Sequence, residues 1–169
     1  MNTAISLQDI RLRTGLQPGD IGYIAYLHAR LYAAECGYGL NFEHYVLKGL
    51  LEFSGRYDPA KDRVWICEHG ERIIGCLAAM HRGGDQVQFR YFIFLPEYRG
   101  IGLGKKLMQE FLAYMHERHY RRAYLWTTNE QEAAIALYTR FGFVLTEEKP
   151  SDAFDKPLVE RRYDLFIAG

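Results

Sequence analysis

The spacing of apolar residues changes repeatedly along this 169-residue chain, and the order of these changes limits the possible folds more than any other feature. Alternation of apolar and polar residues predicts a half-buried strand, whereas steps of three and four residues predict a helix. The spacing predicts, in chain order, a strand at 9–16, helices at 21–36 and 42–53, strands at 63–69, 72–81 and 87–94, a helix after 104, a strand at 123–127, a helix at 130–141, and strands at 143–146 and 161–167. Asp20 precedes the first helix and is predicted to be its N-cap. This order predicts an α+β, or mixed α/β, domain around one sheet.

The connections predict how neighbouring strands pair. Gly70-Glu71 and Gly83-Gly84-Asp85 are short turn sequences, so the three strands from 63 to 94 form an antiparallel meander. The helix after Gly104 joins two strands, and a right-handed crossover makes those strands parallel neighbours. Its apolar stripe consists of Leu103, Leu107, Phe111 and Met115. No linker or repeat interrupts the chain, so we predict one domain over 1–169 with its core at about 9–167.

Composition disfavours several classes of protein. Lys plus Arg and Asp plus Glu each total 21, so the net charge is 0 and we expect neither nucleic acid nor a membrane as a partner. No apolar run approaches a membrane span and the first residues do not resemble a signal peptide, which predicts a cytoplasmic protein. Cys36, Cys67 and Cys76 are predicted to be buried reduced thiols, and His116 with His119 lacks a third ligand, so no metal site is expected.

A glycine-rich turn gives the clearest functional signal. Gly100, Gly102 and Gly104 follow Arg99 where a strand ends and a helix begins, so unobstructed backbone N–H groups point outward at a helix N-terminus. Such a turn attracts anions because of the free N–H groups and the helix dipole, and Lys105 adds positive charge. The turn therefore predicts a site for a phosphate or diphosphate group.

Two familiar glycine motifs do not fit this turn. A P-loop requires G-x-x-x-x-G-K-[ST], but Arg99 stands five residues before Gly104, and Lys106 replaces the required hydroxyl residue. A dinucleotide-binding G-x-G-x-x-G requires an acid about 20 residues later, and the strand at 124–127 offers none. A nucleoside triphosphate and NAD are both disfavoured.

The turn resembles that of the GNAT superfamily of acetyl-CoA-dependent N-acetyltransferases. Arg99, Gly102 and Gly104 match its signature [QR]-x-x-G-x-[GA], residues 96–100 match its common extension, and Ala134 to Phe143 is similar to its segment A-I-x-L-Y-x-x-x-G-F. The resemblance implies a mostly antiparallel sheet of about seven strands flanked by about four helices. It also implies a splayed parallel strand pair that holds acetyl-CoA, with no metal.

Outside these two motifs, the chain is similar to the acetyltransferase half of bacterial proteins that join a MarR-type helix-turn-helix to a GNAT domain. Residues 30–39, 125–128 and 147–150 carry this looser similarity. No winged-helix segment or basic recognition helix precedes Asp9, so the similarity does not imply DNA binding.

The resemblance assigns a coenzyme site. Backbone groups near Phe94 and Leu95 would pair with the pantetheine amides, and Asn129 or Gln131 would orient the pantetheine or a water. The N–H groups of the turn would bind the diphosphate, and this run consists of Arg99, Gly100, Ile101, Gly102, Leu103, Gly104 and Lys105.

The resemblance also implies a proton donor but leaves the general base unassigned. Tyr138 occupies the place of the family tyrosine and would protonate the leaving thiolate. The strand at 87–94 contains no carboxylate, so the amine proton leaves either through waters held by Thr127, Thr128 and Asn129 or to Glu35. We leave these two routes open.

Glu35 and Tyr38, at the end of the first helix, are predicted to wall the pocket for the acceptor amine. The alternative is that Gly37 and Gly39 only end the helix and Glu35 is solvated. The tract at 150–157 is predicted to be a surface loop over the coenzyme or the acceptor.

The function predicted is transfer of an acetyl group from acetyl-CoA to a primary amine of a small molecule or amino acid, by direct attack on the thioester. The missing strand carboxylate leaves a catalytically weak acyl-CoA-binding or sensing module open. A protein N-acetyltransferase is the third alternative. The oligomeric state stays open, a homodimer included.

Overall fold

The computed structural model describes residues 4–168, and its elements follow the predicted order. They are β1 (Ile10–Arg13), α1 (Asp20–Cys36), α2 (Leu40–Gly55), β2 (Arg63–His69), β3 (Arg72–Gly83), β4 (Gln86–Phe94), α3 (Leu103–Glu117), β5 (Arg122–Thr128), α4 (Glu132–Arg140), β6 (Val144–Ser151) and β7 (Leu158–Phe166). Short 3-10 helices at Leu7–Asp9 and Pro96–Tyr98 were not predicted. The mixed α/β fold class is confirmed.

The seven strands in the described part of the chain form one sheet in the order β1-β2-β3-β4-β5-β7-β6. Neighbouring strands are antiparallel except β4 and β5, which α3 connects, so the predicted meander and the predicted parallel pair are both confirmed. The parallel pairing covers only 86–88 against 122–124. Beyond these residues β4 and β5 separate and leave a gap in the sheet.

Helices cover both faces of the sheet. The predicted apolar stripe of α3 is confirmed, because Leu103, Leu107, Phe111 and Met115 are at most 1% exposed and pack on one face together with α4. Helices α1 and α2 cover the other face. Burial of each large apolar side chain stabilises the folded state by about 1.5–3 kcal/mol. The packing on both faces therefore fixes the positions of β4 and β5 on the two sides of the gap.

Asp20 differs from its predicted role as the N-cap of the first helix. It is the first residue of α1, and Gly19 is the N-cap. Both Asp20 oxygens accept hydrogen bonds from the Arg13 guanidinium at 2.9 Å, and one accepts the Gln17 N–H at 2.7 Å. Burial raises the pKa of Asp20, but these hydrogen bonds outweigh it and leave the pKa below its usual value.

The predicted loop at 150–157 is also shorter than expected. Pro150 and Ser151 belong to β6, because the pairing of β6 with β7 continues to Ser151 opposite Leu158. Only residues 152–157 leave the sheet.

Candidate functional site

The separation of β4 and β5 forms a groove of about 630 Å³, bordered by α1, α3 and α4. Most of the predicted coenzyme residues line it: Phe94, Arg99, Gly100, Gly102, Leu103, Gly104, Lys105 and Gln131. Leu95, Ile101 and Asn129 are not among the lining residues. The groove extends from the glycine turn to Tyr138 in α4, since both line it.

The glycine turn presents six consecutive backbone N–H groups, 100–105, that have no hydrogen-bond acceptor within residues 4–168. The flanking amides are used: the Arg99 N–H donates to the Pro96 carbonyl at 3.1 Å, and the Lys106 N–H donates to the Gly102 carbonyl at 3.0 Å. Gly100 and Gly102 have φ angles of 79° and 91°, a region that glycine adopts without steric cost. Because α3 begins at Leu103, its N-terminal dipole adds a positive field at the same place.

Arg99 and Glu35 face each other across the groove. The Arg99 guanidinium donates two hydrogen bonds to the Glu35 carboxylate, at 2.7 and 3.1 Å, and both side chains are about half exposed. An exposed ion pair of this kind contributes at most about 1 kcal/mol, so an incoming diphosphate can compete with Glu35 for Arg99. The structure thus places Glu35 beside the turn, and its role in amine binding stays a prediction.

The end of β4 offers backbone groups to the groove through Phe94. The Leu95 N–H donates to the Ile74 carbonyl at 2.8 Å, inside the sheet. Successive strand residues point their backbone groups to opposite sides, so the N–H and C=O of Phe94 point into the gap beside β5. Of the two residues predicted to pair with pantetheine, Phe94 is the one with groups free to do so.

Tyr138 lies where the groove meets a second, smaller cavity, and it lines both. Its side chain is 6% exposed and packs edge-on against Phe89, with 5.5 Å between ring centroids. Its hydroxyl has no hydrogen-bond partner among the residues described. Burial raises the pKa of Tyr138 well above its usual value, so the hydroxyl keeps its proton at neutral pH.

The sequence did not decide whether Asn129 or Gln131 orients the pantetheine or a water. The two residues occupy different places in the structure. The Gln131 amide donates to Cys36 Sγ at 3.2 Å and lines both cavities. Asn129 instead joins β5 to β7, because its side-chain oxygen accepts the Val159 N–H at 2.8 Å. Cys36 is half-buried beside the groove, so its predicted burial is wrong, whereas Cys67 and Cys76 are buried as predicted.

The second cavity has a volume of about 110 Å³ and lies between α1, α2, β4 and the end of β5. Most of its wall is aromatic, and Tyr38, predicted to wall an acceptor pocket, lines it. The Tyr38 hydroxyl is hydrogen-bonded to Thr128 Oγ1 at 2.7 Å. We call this cavity the acceptor pocket after the predicted role of Tyr38, and binding of an acceptor amine there stays a prediction.

Residues 152–157 close one side of this second cavity, and their position over a coenzyme or an acceptor stays a prediction. Phe154 is 5% exposed and packs against Tyr38, Phe42 and Tyr45 at centroid distances of 5.0–5.3 Å. Asp155 holds the loop in place by accepting the Asn41 N–H, at 3.0 Å, at the start of α2.

His28, Arg90 and Glu160 also line the acceptor pocket, and the sequence assigned none of them to a site. His28 Nδ1 lies 2.8 Å from the Ile24 carbonyl, and burial lowers the pKa of His28 to about 4, so the ring is neutral at physiological pH. An arginine within the apolar strand before the glycine turn was the local signal that could have pointed to Arg90.

Comparisons with known proteins agree with this geometry. Residues 26–143 match the sequence profile of the Acetyltransferase (GNAT) family. The rat "N-acetyltransferase family 8 member 2" is 27% identical over 128 residues, which cover 73% of this chain and 53% of that protein. The chain spans about half the length of the first curated relatives it matches.

Two solved structures illustrate the shared fold. The yncA protein of Salmonella typhimurium with its cofactor acetyl-CoA has a TM-score of 0.69 at 19% identity, with 95% of each chain covered. Spermidine N-acetyltransferase of Vibrio cholerae, in complex with CoA and spermine, has a TM-score of 0.68 at 20% identity, with 94% of this chain and 96% of that chain covered.

No helix within residues 4–168 combines the length and apolar character that a membrane crossing requires. Within the same range, no three His, Cys, Asp or Glu side chains are grouped closely enough to hold a metal ion.

Proposed function

The chain belongs to the acetyltransferase (GNAT) family, and on this premise we propose that it transfers an acetyl group from acetyl-CoA to a primary amine of a small molecule or amino acid. The observation that carries the proposal is the run of six unpartnered amides at 100–105, at one end of a groove that reaches Tyr138. These amides bind the diphosphate of the coenzyme, and Arg99 and Lys105 add positive charge beside it.

The remaining groove residues hold the pantetheine arm. The free N–H and C=O of Phe94 pair with its amides as a neighbouring strand would, because β5 has separated from β4 at this level. Gln131 orients the arm or a water from the opposite side. When bound, acetyl-CoA supplies the thioester carbonyl that the amine attacks, with the C–S bond breaking as the C–N bond forms.

Tyr138 donates its hydroxyl proton to the departing sulfur. Its lack of a hydrogen-bond partner and its place between groove and pocket support this role, and the raised pKa keeps the proton available. The amine proton leaves through water held by Thr127 and Thr128 at the end of β5, because β4 has no carboxylate and Glu35, the other route, is paired with Arg99 outside the acceptor pocket. The role of Glu35 in amine binding is a separate proposal, and a Glu35→Gln variant with unchanged turnover of every amine would remove it.

The test combines calorimetry with a turnover assay. CoA and acetyl-CoA should bind, and thiol release should depend on an added amine. Tyr138→Phe should lower kcat at least about tenfold with an unchanged Kd for CoA, since one proton-transfer contribution is lost. Tyr26→Phe, on the exposed face of α1, is the matched control. Absence of CoA binding, with tight binding of an unrelated nucleotide, would reject the proposal.

A second candidate function is an acyl-CoA-binding or sensing module, which the missing carboxylate on β4 favours. Such a module binds acetyl-CoA tightly but releases no thiol with any amine in the panel. Peptide acceptors in the same panel test transfer to proteins.

We also propose, from the similarity at 30–39, 125–128 and 147–150, that the chain corresponds to the acetyltransferase half of bacterial MarR–GNAT proteins. A cytoplasmic location and a homodimer are part of the proposal. Cell fractionation tests the first, and light scattering at several protein concentrations tests the second.

A further inference from the structure

Arg90 brings a positive charge into the acceptor pocket where β4 faces α2. Among the half-buried arginines of residues 4–168 it is the one without an ion pair; the others, Arg13, Arg63, Arg82, Arg118, Arg161 and Arg162, each have an acidic partner. Partial burial of an unpaired guanidinium is unfavourable. An anionic partner from outside the chain would remove this cost.

Charged neighbours within the fold do not neutralise Arg90. Glu52, whose pKa Arg82 and then Arg90 lower, is itself bound to Arg82 at 2.7 Å. The Arg90 guanidinium lies over the rings of Tyr91 and Tyr45, at 4.9 and 5.7 Å from their centroids. These rings hold the guanidinium in position and leave its N–H groups free.

The Tyr91 hydroxyl is a second unpartnered donor at the same place. Tyr91 lines the acceptor pocket and is 7% exposed, and its buried hydroxyl has no hydrogen-bond partner. A Cβ at Gly49 of α2 would overlap both this hydroxyl and Arg90 Nη2, so the two polar atoms are neighbours. Tyr91 also has a φ of 56°, a costly conformation that recurs at binding sites.

The Arg90 guanidinium and the Tyr91 hydroxyl are two hydrogen-bond donors without a hydrogen-bond acceptor among the described residues. We infer that the acceptor substrate is a small amino acid, or a similar amino carboxylate, whose carboxylate binds Arg90 and the Tyr91 hydroxyl. This inference rests on the proposed function, since the cavity receives an acceptor only if the groove holds the coenzyme. A planar carboxylate accepts two hydrogen bonds from a guanidinium, which matches the free side of Arg90.

The charges of the other groups in the pocket match a zwitterionic acceptor substrate. Glu160 is the one carboxylate among the residues lining the pocket, and His28 is neutral, so the lining holds one positive and one negative charge. A polyamine would require several carboxylates and no guanidinium. The volume of about 110 Å³ and the aromatic walls favour a small acceptor with an apolar side chain.

Matched acceptors test this inference. Valine, valinamide and isobutylamine share a side chain and an amine, but only the first has a carboxylate; alanine and ethylamine form a second series. We expect wild-type kcat/KM to be about 10- to 100-fold higher for the amino acid, because a hydrogen bond to a charged group is lost in the other compounds. Thiol release measures kcat and KM, and calorimetry measures CoA binding.

Arg90→Gln should remove this preference by raising KM for the amino acid. The KM for the decarboxylated amine and the Kd for CoA should stay unchanged. Tyr91→Phe should reduce the preference in part. Arg63→Gln is the matched control, because Arg63 is half-buried, pairs with Glu117 and lies outside both cavities. This control should leave the preference unchanged.

The outcomes separate the inference from the proposed function. If CoA binds and amines without a carboxylate are equal or better acceptors, the inference is overturned while the proposed function stands. An unchanged preference in folded Arg90→Gln also overturns it. If CoA does not bind, both fail. If Arg90→Gln does not fold, the Arg90→Lys variant and the wild-type preference for the amino acid test the inference, since neither measurement depends on Arg90→Gln.

Discussion

Replacing Gly102 by valine tests the row of free amides without changing any charge. Gly102 is the N-cap of α3, with φ 91° and ψ 6°, and its nearest neighbour around an added Cβ is Leu7 Cδ2 at 4.0 Å. Open space means that the substitution acts through backbone strain rather than through a clash. A left-handed conformation costs an L-residue about 1–2 kcal/mol, and a β-branched side chain more.

The expected loss of CoA affinity follows from how the turn relieves this strain. Rotation of the backbone at residue 102 changes the direction of the two neighbouring peptide units and so of two of the six amides. Each hydrogen bond to a charged group contributes about 1.5–3 kcal/mol, so the loss of two weakens CoA binding by about 3–6 kcal/mol, roughly a hundredfold or more. The free energy of unfolding falls by only about 1–2 kcal/mol.

Another glycine provides the control. Gly83 has a φ of 107° and nothing within 4 Å of an added Cβ, but it is the last residue of β3, before the turn to β4, and it does not line the groove. Gly83→Val should therefore lose similar stability and keep its CoA affinity.

The assay is calorimetric titration with CoA, together with urea unfolding of each variant. A folded Gly102→Val protein that binds CoA within about threefold of the wild type would refute the reasoning, because the amides would then contribute little to binding. Equal loss of affinity in Gly83→Val would show that lowered stability, rather than the turn, controls binding.

Two further changes have defined outcomes. Arg13→Gln leaves the buried Asp20 carboxylate without its cation, so the free energy of unfolding at pH 7 should fall by about 3 kcal/mol. Because the folded wild type holds the pKa of Asp20 below its usual value, it loses stability as pH falls below about 4, whereas Arg13→Gln should lack this loss; parallel pH profiles of urea unfolding would contradict this ion pair. Gln131→Ala should weaken CoA binding in calorimetry with an unchanged Tm, and Asn129→Ala, which removes a bond between β5 and β7, should lower Tm with unchanged CoA affinity. The reverse pattern would contradict their placement.

Local sequence patterns predicted most of the fold because they report local physics. The stripe Leu103, Leu107, Phe111 and Met115 predicted the buried face of α3, and the glycine turn predicted its start. The prediction for Asp20 failed because its carboxylate has a distant cation, Arg13, on another element. Such a pairing leaves no periodic signal.

The sequence by itself determined the order of elements, the family and the row of amides that suits a diphosphate, since each depends on residues close together in the chain. The tertiary structure alone decided that Glu35 meets Arg99, that Gln131 rather than Asn129 reaches the groove, and that Arg90 enters the acceptor pocket unpaired. These features depend on which side chains from separate elements meet when the sheet and helices pack. Their sequence separations of up to 95 residues, as between Cys36 and Gln131, place them beyond any local pattern.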